Sequence, residues 1–223
     1  MTYRQPLSPE PCRPSGPGPE PAVGVSAVVL AGGRSRRLGM DKALLQINGE
    51  WLLQRIVRDL RTLADQVLIV ANDGDKLSAL GVPIVPDLQS GQGVLGGIYS
   101  GLRSMQHHHG LFVGCDMPLL NLALLRYMIS LAPCADVVIP RVADEVEPLH
   151  AIYSKACSGP IAQALQRGEF RPVTFFSGVR VRFVEQAELE LFDPENRSFF
   201  NINTPQDLET AQALLHHPAD PML

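Results

Sequence analysis

From Val25 onward, short runs that are apolar at nearly every position alternate with stretches of helical spacing, and this alternation limits what the chain can fold into. VSAVVL (25–30), QVLIVA (66–71), VPIVP (82–86), LFVGC (111–115) and ADVVIP (135–140) are β-rich and apolar on both faces. Strands of that kind must be covered from both sides, as in parallel sheets. Between them Leu52, Leu53, Ile56, Val57, Leu60 and Leu63 keep helical spacing, and 95–106 and 121–131 also read as helices. Repeated strand and helix predicts the α/β class, with a mostly parallel sheet and helices on both faces. LHAIY (149–153) and VRFVE (181–185) are expected to extend the sheet, one of them antiparallel. A last helix is predicted in NTPQDLETAQALL (203–215), where Thr204 can N-cap, Pro205 suits the first turn and Asp207 completes a capping-box-like pattern.

The 223 residues, 45% of them apolar, are enough for one substantial core. A single domain is expected over 23–218. Residues 1–22, which include RQPLSPEPCRPSGPGPEPA, offer little to bury and many prolines without a backbone donor, so a disordered leader is expected there. A net charge of -4 argues against a nucleic-acid or membrane surface, which usually asks for a broad excess of Lys and Arg. The four cysteines form no C-x-x-C pair and no zinc spacing. No run reaches the length of a membrane span, and a soluble cytoplasmic protein is expected.

Against that acidic background, VSAVVLAGGRSRRLGMDK (25–42) places Arg34, Arg36, Arg37 and Lys42 just after Gly32 and Gly33, where the first strand ends. In open parallel sheets ligands sit at the carboxyl ends of strands. Glycines there let backbone N–H groups approach an anion, and the cations neutralise it, so a polyphosphate is expected. A flexible turn beside a solvated basic face would explain the glycines alone, but not the four cations after them. The stretch is neither a Walker A loop nor G-x-G-x-x-G, since Lys42 follows Asp41 and no Ser or Thr follows Lys42.

FVGCDMPLL (112–120) puts Asp116 at the end of a central apolar strand, where it invites two readings: a hard oxygen ligand for Mg²⁺, or the N-cap of the next helix. Asp87, after PIVP, invites the same two. QSGQGVLGGIYSGL (89–102) carries five glycines, for close approach either to a ligand or to a neighbouring strand. Asn201 and Asn203 in FFNINTP share a face if extended, as polar ligands or turn-formers. Glu147 and His150 could hydrogen-bond a substrate or sit on an edge strand. His107, His108 and His109 read as a solvated tract at a helix end.

These residues together resemble the molybdenum cofactor guanylyltransferases, within the nucleotidyltransferases that share a Rossmann-like sheet of the nucleotide-diphospho-sugar transferase type. The matching pieces are VVLAGGRSRRLGMDKALL (28–45), Asp87 with the Gly-rich segment, CDMPLL (115–120), EPLHAIY (147–153) and FFNINTPQDL (199–208). The resemblance implies that Leu30, Ala31, Gly32 and Gly33 contact the guanine nucleotide and that Lys42 touches phosphate. Asp87 and Asp116 would bind nucleotide, the latter also Mg²⁺, and Asn201 and Asn203 would lie at the pterin end. The chain departs from the family pattern in GQGVLGGI (91–98), where Gly-Pro-Leu-Ala-Gly is common, and in Leu38, where Met is frequent.

The implied reaction is attack of the terminal phosphate of molybdenum-molybdopterin on the α-phosphorus of GTP, releasing pyrophosphate. Mg²⁺, Lys42 and the arginines, Arg37 among them, would hold the triphosphate. Molybdoenzymes or their chaperones would receive the product. Alternatives are cytidylyl transfer to molybdopterin, nucleotidyl transfer to a sugar or polyol phosphate, and a regulator without chemistry. The Leu30-Ala31-Gly32-Gly33 form argues against cytidylyl relatives, which usually read Leu-Ala-Ala-Gly, and Asp116 argues for an enzyme.

Overall fold

A computed structural model describes residues 24–31, 42, 45–72, 74–88 and 91–216. The expected leader lies outside them, as do Gly32, Gly33, Arg34, Arg36, Arg37 and Leu38.

The chain runs β1 (Val25–Leu30), β2 (Gln46–Ile47), β3 (Glu50–Trp51), α1 (Leu52–Leu60), β4 (Gln66–Val70), β5 (Ile84–Val85), α2 (Gly93–Ser104) and β6 (His109–Gly114). It continues through α3 (Leu122–Leu131), β7 (Val137–Val142), β8 (Glu145–Val146), β9 (His150–Ser154), α4 (Ser158–Gln166), β10 (Val181–Val184), α5 (Gln186–Leu189) and α6 (Pro205–His216). The main sheet has the order β10-β7-β9-β6-β1-β4-β5, with β8 folded back on β7. Neighbours along it are parallel, except that β9 runs antiparallel to both β6 and β7. This is the mostly parallel, Rossmann-like arrangement predicted from the alternating runs.

β1 explains why the runs are apolar throughout: all six of its residues are buried. Val25, Ala27 and Val29 face one core, shared with Leu53 and Ile56 of α1, Leu124 and Met128 of α3, and Ala211 of α6. Val28 and Leu30 face the other, shared with Leu95, Ile98 and Leu102 of α2 and Ile161 of α4. Successive side chains of a strand point to opposite faces, so a strand between two helical layers has no position for a polar residue unless that residue is paired. Ser26 is the exception in β1, and its hydroxyl donates to Gln66 Oε1 at 2.6 Å.

Two short pieces are set by turn chemistry. Asn48 and Gly49, with φ of 54° and 81°, form the two-residue turn between β2 and β3, the conformation that an Asn-Gly pair adopts at least cost. Thr204 and Asp207 form the expected cap of α6: Asp207 N–H donates to Thr204 Oγ1 at 3.2 Å, and Asp207 Oδ2 accepts from Thr204 N–H at 2.8 Å.

The strand pairing also fixes where a ligand can sit. β1 pairs with β4 on one side and β6 on the other, so the chain changes direction across the sheet at β1. The crevice at the carboxyl ends of β1 and β6 is the topological switch point. β9 enters the sheet here, with His150 opposite Val113 and Ser154 opposite His109.

Candidate functional site

The last residue of β1 and the one after it line this rim. Leu30 is 8% exposed, and its side chain lies in the α2-side core. Its carbonyl accepts from Cys115 N–H at 3.2 Å, and Ala31 N–H donates to Val70 O at 2.9 Å. The ends of β6, β1 and β4 are thereby laced into one edge.

Asp116 lies just beyond β6 on this edge. An added Cβ on Gly114 would lie 2.6 Å from Asp116 Oδ1, so glycine is what lets the carboxylate fold back over the strand end. The other oxygen, Oδ2, accepts from Lys42 Nζ at 2.5 Å. Lys42 also donates to Asn203 Oδ1 at 2.8 Å. Ile202 N–H donates to the Asp116 carbonyl at 2.9 Å, which pins the segment carrying Asn203 beside the strand end. Three residues far apart in sequence thus meet around one ammonium group. The helix-cap reading of Asp116 is corrected: α3 is capped by Asn121, whose side chain accepts from Ala123 and Leu124 N–H.

Asn201 is turned differently from Asn203. Its Nδ2 donates to Phe199 O at 3.1 Å, while Ile202 between the two is fully buried. Asp207, which caps α6, has its carboxyl held below the usual range, chiefly by the backbone N–H of Asn203 and further by the Thr204 hydroxyl and N–H.

Asp87 stands just past the end of β5, as the sequence indicated, and both Asn72 and Ser100 hold it. Its N–H donates to Asn72 Oδ1 at 3.1 Å, and its Oδ1 accepts from the Ser100 hydroxyl at 2.9 Å. Ser100 is fully buried in α2, flanked by the glycines that bring this helix against the sheet. An added Cβ on Gly97 would lie 3.1 Å from Leu30 Cδ1, and one on Gly101 would lie 2.5 Å from Phe112 Cε1. Close packing is therefore what Gly97 and Gly101 serve, whereas Gly91 and Gly93, with φ of 87° and 65°, shape the turn into the helix. Asn72 and Ser100 escaped the sequence reading. The available signal was a serine set among the glycines of α2.

The edge-strand reading of His150 is corrected, because β9 lies between β6 and β7, whereas Glu147 lies before β9, just after β8. His150 is fully buried, its ring 5.0 Å from that of Phe199 in edge-to-face contact, and neither ring nitrogen has a hydrogen-bond partner among the described residues. Burial pushes its pKa down to about 4, with the Asp193 charge pulling weakly the other way. Burial also raises the pKa of the Glu147 carboxyl, helped by Glu145. The histidine tract ends in His109, the first residue of β6, and so lies at the opposite end of that strand from Asp116. Among the described residues no three His, Cys, Asp or Glu side chains gather as a metal cluster, and no helix is long and apolar enough to cross a membrane.

Comparison with known proteins bears on the family and the fold. The family model of the MobA-like NTP transferase domain matches residues 27–180. The chain is 36% identical to a probable molybdenum cofactor guanylyltransferase of Pelotomaculum thermopropionicum, over 85% of this chain and 92% of the relative. It is 33% identical to the molybdenum cofactor guanylyltransferase of Desulfosudis oleivorans, over 86% of this chain and 96% of the relative. Among solved structures, the molybdopterin-guanine dinucleotide biosynthesis protein A of Archaeoglobus fulgidus superposes with a TM-score of 0.75 at 27% identity, covering 86% of this chain and 98% of the other. The fold is that of the nucleotide-diphospho-sugar transferases.

Proposed function

The chain belongs to the MobA-like NTP transferase family, and from that premise we propose that it is a molybdenum cofactor guanylyltransferase, with residues 23–218 as its catalytic domain. It transfers GMP from GTP to the terminal phosphate of molybdenum-molybdopterin and acts in the cytoplasm. The observation that carries this reading is the meeting of Lys42, Asp116 and Asn203 at the switch point of the sheet, in a chain whose relatives bear that name.

An oxygen of the molybdopterin phosphate attacks the α-phosphorus of GTP. A new P–O bond forms, the bond from the α-phosphorus to the β-bridging oxygen breaks, and pyrophosphate leaves with the electron pair. Lys42, with Arg37 and the backbone at Gly32 and Gly33, holds the triphosphate and opposes the charge that builds on it. Leu30, Ala31 and Asp87 position the nucleoside end, while Asn201 and Asn203 face the pterin substrate. Catalysis by placement and charge requires no covalent protein intermediate.

The residues present fit a divalent cation. Asp116 Oδ2 and Asn203 Oδ1, both hard oxygen donors, already converge on a single positive centre, at 2.5 and 2.8 Å from the Lys42 nitrogen. Mg²⁺, which takes one or two carboxylates and completes its shell with phosphate and water, would be held by Asp116 and would supply charge neutralisation at the triphosphate.

The deciding experiment measures pyrophosphate release with each of the four nucleoside triphosphates, with and without molybdenum-loaded molybdopterin. Release that requires both GTP and the loaded pterin is expected. Preference for CTP by tenfold or more would overturn the guanine assignment, and release with a sugar phosphate but not with the pterin would overturn the acceptor.

A further inference from the structure

Ser100 stands out as a polar group that packing does not need. It lies on α2 between Gly97 and Gly101, with no exposed surface, on the opposite side of the helix from Leu95, Ile98 and Leu102. An alanine would fill the same space. A buried hydroxyl costs stability unless its partners compensate, and Ser100 has three: Leu88 N–H donates to its oxygen, and Asp87 Oδ1 and the Gly96 carbonyl lie within reach of its single proton, all at 2.9 Å. The contact with Gly96 is the bond to the preceding turn that serine makes in many helices. The other two reach off the helix, onto consecutive residues of the rim. One proton cannot serve both acceptors, and the ionised carboxylate is the stronger. The proton therefore goes to Asp87.

The result is a clamp on one aspartate. Asn72, just past β4, holds its backbone N–H, and Ser100, on the helix beneath, holds its carboxylate. α2 can serve as the anchor because Gly97 and Gly101 seat it directly on Leu30, Val28 and Phe112 of the central strands. We propose that Ser100 is a positioning residue for nucleotide binding: it touches no substrate, but fixes the plane of the Asp87 carboxylate so that the nucleotide meets a preset acceptor. This rests on the reading above that Asp87 binds the nucleotide.

The test is a double-mutant cycle on the full-length protein. The affinity of Mg²⁺ with guanosine 5′-(α,β-methylene)triphosphate, which cannot be cleaved at the reacting bond, is measured by calorimetry for wild type, Ser100→Ala, Asp87→Ala and the double variant. Each is assayed well below its own thermal midpoint, with folding checked by circular dichroism. Ser100→Ala is expected to weaken binding roughly fivefold, the scale of one ordinary net hydrogen bond, because its effect reaches the nucleotide only through Asp87. In the Asp87→Ala background the same change should have no further effect. Ser100→Cys, close in size with a weak donor, should fall between serine and alanine.

Ser100→Ala with a lowered midpoint but unchanged affinity would overturn the proposal and leave Ser100 a structural cap of Leu88. Equal losses in both backgrounds would overturn it too, because the effect would not pass through Asp87. If Asp87→Ala itself binds as wild type does, the failure belongs to the nucleotide reading of Asp87, and the proposal falls with it.

Discussion

The Lys42 ammonium lies 2.5 Å from the Asp116 carboxylate across 74 residues of sequence, and both side chains keep a narrow opening to solvent, 15% and 18% exposed. The lysine comes after a stretch of glycines and arginines, and the aspartate follows the end of a buried strand. Each supplies the charge that the other would lack in the absence of ligand, so neither is an isolated buried ion.

Replacing the aspartate tests its chemistry without emptying the site. Asp116→Asn retains an oxygen that can accept from Lys42 but removes the charge, so turnover should fall about a hundredfold or more, on the scale of one lost preorganised contact. The thermal midpoint should move by only a few degrees, because the pair is partly solvated and screened. Since Asn121 caps α3, near-normal activity cannot be attributed to a substituted cap and would remove Asp116 from the mechanism.

Lys42 is expected to oppose metal binding as well as to hold phosphate. A dication held by Asp116 would stand against the ammonium already bonded to Oδ2. Lys42→Met should therefore raise the affinity for Mn²⁺ without nucleotide at least tenfold, roughly 1.4 kcal/mol, while weakening GTP. Free Mn²⁺ is read by electron paramagnetic resonance. An unchanged affinity would show that the ammonium does not compete.

The two packed glycines of α2 should differ in their response to alanine. A methyl at 101 would meet Phe112 Cε1 at 2.5 Å and Val28 Cγ1 at 2.7 Å, both in the central strands, and Gly101→Ala should cost about 1–3 kcal/mol. At 97 the nearest atom is Leu30 Cδ1, at 3.1 Å. Gly97→Ala should stay within about 1 kcal/mol of wild type, as the gain in helix propensity offsets a small shift of Leu30. Urea unfolding gives both values, and equal losses would contradict the difference in clearance.

His150 should make the fold acid-sensitive in a defined window. Its pKa is about 4 in the folded protein against 6.5 for the free side chain, so between these values the unfolded chain takes up a proton that the folded one refuses. Stability is then lost as pH falls from 6.5 towards 4, by roughly 3 kcal/mol for this shift. His109, also lowered by burial, adds to the loss, whereas Glu147, raised by burial, opposes it. Both remain in His150→Leu, so the difference between wild type and this variant isolates His150. Parallel stability curves from pH 7 to 4 would refute the assignment.

The sheet was legible in the sequence because burial on both faces leaves a plain mark: β1 is the predicted run 25–30 without adjustment, and α3 differs from the predicted 121–131 by one residue. Strand order carries no such mark. LHAIY announced a strand, but nothing in it says that β9 would be inserted between β6 and β7 and that His150 would lose all contact with water. The site was legible as strand ends with chemistry, and Asp87 and Asp116 stand there. The bond from Lys42 to Asn203 spans 161 residues, a meeting that only the folded sheet creates. Asn48-Gly49 was a readable hairpin signal that the strand-and-helix pattern overshadowed.

β9 also has a consequence for how this scaffold can diversify. A strand aligned with its neighbours delivers the loop after its last residue to the ligand rim, whereas a reversed strand delivers the loop before its first. The segment between β7 and β9, with its hairpin at Ala143 and Asp144, is thus brought to the same side as Asp116. Both ends of that segment are anchored in the sheet, by β7 and β9, and its turn is closed by the pairing of β8 with the end of β7. Its length and sequence can change without disturbing strand order, giving this side of the crevice a replaceable wall beside a fixed floor.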